Sequence, residues 1–283
     1  MDFIQKINLK DFKNSTPFLE NNEKQINSIC DFLNGDNKLF ILGGFMGSGK
    51  TALVDYVIKN LNQEVLVIKY TCSETSVSDD MLLSFFGSFR NFAINGDISF
   101  PKIKTENFAQ KINGCFNSVT KPILIFLDSF SSILKNNKPE ILDFIKHISN
   151  YSNIKIIITS RMLDYNDFDF INYDSATVMP FTKDLFEKFI RANGVKNIGV
   201  LSTELYKQTR GYFLYTNLSV KLMEIHGYNL GKFLEIFSKS MVSFTDFILR
   251  EALMLIDPVS LHLFRLLALM RIPIRRKLLK TFN

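Results

Sequence analysis

Apolar residues along this chain follow two regimes that meet near Pro180. Before it, short continuous apolar runs alternate with stretches of helical period. The runs "KLFILGG" (38 to 44), "EVLVIKY" (64 to 70), "PILIFLD" (122 to 128), "IKIIIT" (154 to 159) and "ATVMP" (176 to 180) predict strands. "TALVDYVIKNL" (51 to 61), "SDDMLLSFFGSFRNF" (78 to 92), "TENFAQKINGCFNSV" (105 to 119) and "KPEILDFIKHISNY" (138 to 151) predict helices. A strand that is apolar at successive positions is buried on both faces, so the pattern predicts an α/β core with a parallel sheet covered by helices on both faces. Beyond Pro180 only helical periodicity remains, over 182 to 194, 202 to 211, 212 to 227 and 229 to 241. A last block offers three helix-length units parted by Pro258 and Pro273. The predicted partition is a core over 1–180, a helical lid over 181–241 and a further helical unit over 242–283.

Composition narrows the class. The 283 residues are 46% hydrophobic and 22% charged, which suits a globular chain with room for two domains. A net charge of +6 favours phosphate-bearing ligands but lacks the density of a dedicated nucleic-acid binder. Cys30, Cys72 and Cys115 are odd in number and widely spaced, which argues against a disulfide framework or a zinc site. The first residues, "MDFIQKINLKDF", carry acids and lack the apolar centre of a signal peptide. The longest apolar stretch, "LHLFRLLALM" at 261 to 270, contains Arg265 and is half the ~20 residues that span a bilayer. The expectation is a soluble cytoplasmic protein without a membrane partner.

Chemistry enters at "GFMGSGKT", between the first strand and the first helix. Gly44, Phe45, Met46, Gly47, Ser48, Gly49, Lys50 and Thr51 match the pattern G-x-x-x-x-G-K-[ST] at each defined position. Glycines let successive backbone N–H groups turn inward at a positive helix terminus, forming a nest for phosphate with Ala52 in the helix's first turn. Lys50 can reach the outer phosphates of a nucleotide and the Thr51 hydroxyl can ligate Mg2+.

Asp128 ends an apolar strand and is the candidate carboxylate on the Mg2+ side, opposite Thr51. Serine follows it. In many enzymes of this kind the next residue is the acid that activates the attacking water, and Ser129 cannot act as a base at neutral pH. Glu74, Asp79 and Asp80, after the second strand, are the acids that could stand in. "IIITSR" tips another strand with Thr159 and Arg161; a strand beside that of Asp128 would bring both near a γ-phosphate, where a guanidinium can fork onto oxygens.

The order of phosphate loop, apolar strand with Asp, "TSR" strand, "MPFTKDLFEKFI" and helical unit resembles the STAND branch of AAA+-type P-loop NTPases, the group that contains NB-ARC domains. The resemblance extends over nearly the whole chain. It implies that "TPFLENNEKQI" (16 to 26) sets Phe18 and Leu19 beside adenine, with Asn22 where the family has arginine, and that Pro180 of "MPF" abuts the base. "TRGYFLYTNLSVKLM" (209 to 223) is similar to the family's G-x-P lid motif with Phe213 in place of proline. Residues 242–283 look like the start of a winged-helix domain that stops before the family's nucleotide-sensing histidine, as in a shortened protein or part of a longer one.

The resemblance implies an ATP/ADP-dependent switch with weak ATP hydrolysis, Mg2+ as cofactor and nucleotide-dependent self-association. Two other readings stay open. One is an AAA+ ATPase that meets DNA, or a protein partner, through the basic run Arg271, Arg275, Arg276, Lys277 and Lys280. The other is a scaffold that holds its nucleotide without hydrolysing it.

Overall fold

In a computed structural model, residues 16–62, 64–74, 76–99, 108–133, 137–161, 165–196, 199–257 and 259–262 are described. They form two bodies: one of Lys24–Met46 with Lys50–Val178, the other of residues 16–23, Gly47–Gly49 and the chain from Met179.

The first body is built on β1 (Leu39–Gly43), β2 (Leu66–Thr71), β3 (Ile123–Asp128), β4 (Ile154–Ser160) and β5 (Tyr173–Thr177). All pairings are parallel, in the order β2-β3-β4-β1-β5. β3 and β4 are buried at every position, as their unbroken apolar runs demand. Alternate residues of β3 serve opposite layers. Ile123, Ile125 and Leu127 join a core with Met81, Phe85 and Phe89 of α4 (Ser78–Ile94), Ile112 and Phe116 of α5 (Phe108–Ser118) and Ile141 and Ile145 of α6 (Lys138–Ile148). On the other face Lys69 of β2 lies over the Phe126 ring and pairs with Asp55 of α3 (Lys50–Lys59) at 2.7 Å. Phe40 of β1 packs on Phe32 of α2 (Glu23–Asn34) at 5.3 Å.

Parallel strands point their carboxyl ends the same way, so β1, β3 and β4 deliver Gly43, Asp128 and Ser160 to one edge. The register sets Gly43 level with Ser160 and Thr71 level with Asp128.

One strand differs from its sequence pattern. The run at 176 to 180 predicts the fifth strand, whereas pairing with β1 covers Tyr173–Thr177. β5 lies at a sheet edge and is half-exposed along its length, so it lacks the continuous apolar signature of its neighbours.

The second body is helical: α1 (Pro17–Asn21), α7 (Lys183–Ala192), α8 (Gly199–Thr209), α9 (Phe213–His226), α10 (Leu230–Lys239) and α11 (Phe244–Met254). Side-chain oxygens of Thr182, Asn229 and Ser243 cap α7, α10 and α11. Of the block 242–283 expected to start a winged helix, α11 and residues up to 257 and 259–262 are described; the rest, with Arg271, Arg275, Arg276, Lys277 and Lys280, lies outside the described residues. Among the described residues no helix is long and apolar enough to cross a membrane.

A buried lysine ties α2 to the sheet. Lys155 of β4 donates to the carbonyls of Phe32 (3.0 Å), Gly35 (2.5 Å) and Asn37 (2.5 Å), gathering the exit of α2 and the approach to β1 around one ammonium. Burial, aided by the charge of Lys38, pulls its pKa down to about 8 against the pull of Asp36 and Asp174. Lys155→Met removes the donor shared by three carbonyls and is expected to cost about 3 kcal/mol, read as a lower urea midpoint at neutral pH.

Candidate nucleotide-binding site

The phosphate loop begins where β1 leaves the sheet. Gly47 and Gly49 take left-handed φ values of 75° and 97°, which a side chain rarely adopts. Space enforces the same choice. A Cβ on Gly49 would lie 2.4 Å from Cζ of Phe18, and one on Gly47 would lie 2.6 Å from Cβ of Leu214. The Leu214 amide, in the first turn of α9, also donates to the Gly47 carbonyl at 3.0 Å. Ser48 is buried and its Oγ has no hydrogen-bond partner among the described residues. A cradle of glycines around an unsatisfied buried hydroxyl fits a phosphate ligand.

Lys50 opens α3. Its Nζ donates to the carbonyls of Gly44 and Phe45, both at 2.8 Å, so the ammonium is folded over the loop that precedes it. Burial lowers its pKa, Asp128 works against that shift, and Arg161 adds to it.

The next residue reaches across the sheet. Thr51 Oγ1 lies 2.9 and 3.0 Å from the two carboxylate oxygens of Asp128. On the other side Thr159 Oγ1 donates to Asp128 Oδ1 at 2.5 Å and accepts the Ser129 N–H at 2.9 Å. β1, β4 and β3 thus each send a group to one buried carboxylate: Thr51 follows the loop after β1, Thr159 lies on β4 and Asp128 ends β3. A hydroxyl and a carboxylate are hard oxygen donors, suited to a Mg2+ ion that keeps several waters.

Ser129 leaves the strand in a left-handed conformation, φ 60° and ψ 39°, and begins a short 3-10 turn over Phe130–Ser132. Ser131 Oγ in that turn accepts the backbone N–H of Arg161 at 3.2 Å. Arg161 is exposed, and it acts on Lys50 through charge.

The remaining candidates are dispersed. Phe45 and Met46 are 67% and 61% exposed, and Ala52 is exposed on α3. In the helical body Phe18 is buried and meets Phe213 at 4.5 Å, and Phe213 in turn meets Phe181 and Phe189. The phenylalanine that replaces proline in the lid motif is therefore part of an aromatic cluster. Leu19 and Pro180 are half-buried. Asn21 joins these elements: its Nδ2 donates to the carbonyls of Met179 and Pro180, and its Oδ1 accepts the Thr182 N–H. Sequence reasoning overlooked Asn21, because only the folded turn at 179 to 182 distinguishes it from other asparagines.

Residues 40–168 match the family model of the ATPases associated with various cellular activities (AAA). That stretch contains the phosphate loop, Asp128 and Thr159 in the arrangement just described. The parallel sheet, its loop and its helices have the fold of P-loop NTPases, and the AAA match covers a little under half of the chain. No curated protein matches the chain in sequence. Among solved structures, the chain is similar to a signal transduction ATPase with numerous domains (STAND) with a tetratricopeptide repeat sensor from Pyrococcus horikoshii. That match has 14% identity and a TM-score of 0.58 and covers 90% of this chain and 35% of that one. A Walker-type ATPase of Pyrococcus abyssi is similar at 15% identity and a TM-score of 0.56, over 86% of this chain and 75% of that one. The chain spans about a third of the length of the STAND protein. At these identities the likeness is one of fold.

Thr159 is the hinge of the carboxylate network, since its hydroxyl serves Asp128 and Ser129 together. Thr159→Val keeps the shape and removes both bonds, leaving a buried N–H unpaired. The expected loss is about 2 kcal/mol in urea unfolding, with most of it recovered in Thr159→Ser.

Proposed function

We propose that this protein is an ATP/ADP-binding switch of the STAND type that hydrolyses ATP slowly. The observation that carries this reading is the Thr51–Asp128–Thr159 network beside Lys50, at the mouth of a glycine loop. Nucleotide phosphates would take the loop amides and the first turn of α3, and the Lys50 ammonium would exchange two neutral carbonyls for phosphate oxygens. Charge-assisted bonds are about twice as strong as neutral ones, so the exchange favours binding. Thr51 and Asp128 would hold Mg2+, which neutralises charge on the β- and γ-phosphates. Thr159 and Arg161 would sense the γ-phosphate, Thr159 through the carboxylate and Arg161 through its exposed guanidinium.

On the same reading Phe18, Leu19 and Pro180 contribute to the adenine side. Residues 181–241 act as a lid, and residues 242–283 belong to a winged-helix unit through which a protein partner or DNA is met. A switch needs two states that bind ATP and ADP differently, and self-association in one of them is the output this reading favours. The Pyrococcus horikoshii protein is described as a signal transduction ATPase, which supports a signalling role for the shared fold. A cytoplasmic location goes with it. Slow turnover follows from Ser129, which offers no carboxylate beside Asp128.

Lys50→Ala is expected to abolish binding of both ATP and ADP by isothermal titration calorimetry, and retained affinity would overturn the phosphate-loop assignment. Asp128→Ala should weaken Mg2+-dependent ATP binding at least about tenfold while sparing ADP binding in EDTA. A change in oligomeric state with ATP but not ADP, followed by light scattering, tests the switch; a turnover that rises with added DNA would favour a DNA-dependent ATPase instead.

A further inference from the structure

We propose that Glu74 is the general base for ATP hydrolysis in this protein, taking the role that Ser129 cannot fill; the inference rests on the nucleotide site proposed above. The argument begins with strand order. Reading across the sheet, the phosphate loop follows β1, β4 comes next, Asp128 ends β3, and β2 lies beyond. Thr51 meets Asp128 across that span, so a γ-phosphate held by Lys50 and Thr51 would lie between the ends of β1 and β3. An in-line nucleophile approaches from the side away from the leaving group, and the strand beyond β3, away from the loop, is β2.

The segment after β2 is held at the level of Asp128. Thr71 pairs with Asp128 in register, and the Cys72 N–H donates to the Asp128 carbonyl at 2.8 Å. Ser76 then closes the segment into a compact bend. Its Oγ accepts the Ser73 N–H at 2.9 Å and the Tyr70 hydroxyl at 3.0 Å, its N–H donates to the Ser73 carbonyl, and its carbonyl accepts from Asn137 Nδ2. Glu74 projects from this bend. It is exposed, and its carboxylate forms no ion pair among the described residues. Three residues beyond Thr71 span at most about 10 Å of chain, which keeps Glu74 close to the edge where Thr71 lies level with Asp128.

The other acids of the region have different work. Asp79 and Asp80 are exposed in the first turn of α4, where their charge complements the helix terminus. Position 129 is unsuited to a base for a second reason besides its chemistry. Its left-handed backbone turns the chain off the strand direction directly after Asp128. In the proposed step the water oxygen bonds to the γ-phosphorus as its proton passes to the Glu74 carboxylate. The bond from the γ-phosphorus to the β–γ bridging oxygen breaks, and ADP leaves with the electron pair.

The test is single-turnover hydrolysis of Mg2+-ATP by the full chain and by Glu74→Gln, Asp79→Asn and Asp80→Asn, with ATP affinity measured in parallel. Glu74→Gln is expected to lose about 10²-fold or more in rate with affinity kept within about threefold, the range expected for removing a general base. The two aspartate variants should retain the rate. A base also predicts a rate that falls at acid pH in the parent and is flat in Glu74→Gln, which a merely structural residue would not produce. Wild-type rates in Glu74→Gln, loss of ATP affinity together with rate, or a parent that binds ATP and never hydrolyses it would each overturn the proposal. A parent that binds no nucleotide would overturn the site itself.

Discussion

The buried carboxylate of Asp128 is the constraint around which the sheet's functional edge is arranged. A charge at the end of a fully apolar strand is costly unless it is met by hydrogen bonds or a cation. Two threonines meet it, one following β1 and one on β4, and the register of three parallel strands brings them to it. The same hydroxyl that steadies the carboxylate also steadies the backbone of Ser129, so the strand end and the turn after it are set together. A hard cation at Thr51 and Asp128 would complete what the two hydroxyls begin.

The phosphate loop solves a separate problem. Its lysine sits in a poorly hydrated place, where burial weakens its hold on a proton and the nearby Asp128 strengthens it. The carbonyls of Gly44 and Phe45 satisfy the ammonium and keep it close to the loop, ready for a stronger acceptor. The glycines serve two masters. Backbone conformation demands them at positions 47 and 49, and so do Leu214 and Phe18, which occupy the space a side chain would need. The left-handed backbone of the loop and the packing of the helical body therefore require the same glycines for different physical reasons.

The central strands and helices of the core were legible because burial on both faces writes itself as an unbroken apolar run, and a helix buried on one side writes a period. β3 and β4 follow their runs to within a residue. β5 does not, since an edge strand is half-exposed and its pairing partner, not its hydrophobicity, decides where it begins. The loop and Asp128 were equally legible, because their chemistry requires fixed residue types at fixed spacing. Asn21 was not, since its role depends on a turn more than 150 residues away in the chain.

By itself, then, the sequence determined the class of core, the glycine-rich loop that leads into Lys50 and Thr51, the strand that ends in Asp128 and the lack of an acid at 129. All of these are local, a matter of which residue stands where along one element. The tertiary structure decided which strand lies between the loop and Asp128, that Thr159 bonds the carboxylate, that Phe213 joins an aromatic cluster, and that the end of β2 lies level with Asp128. Each of these depends on strand order and register or on packing between distant segments, which no local pattern of residues encodes.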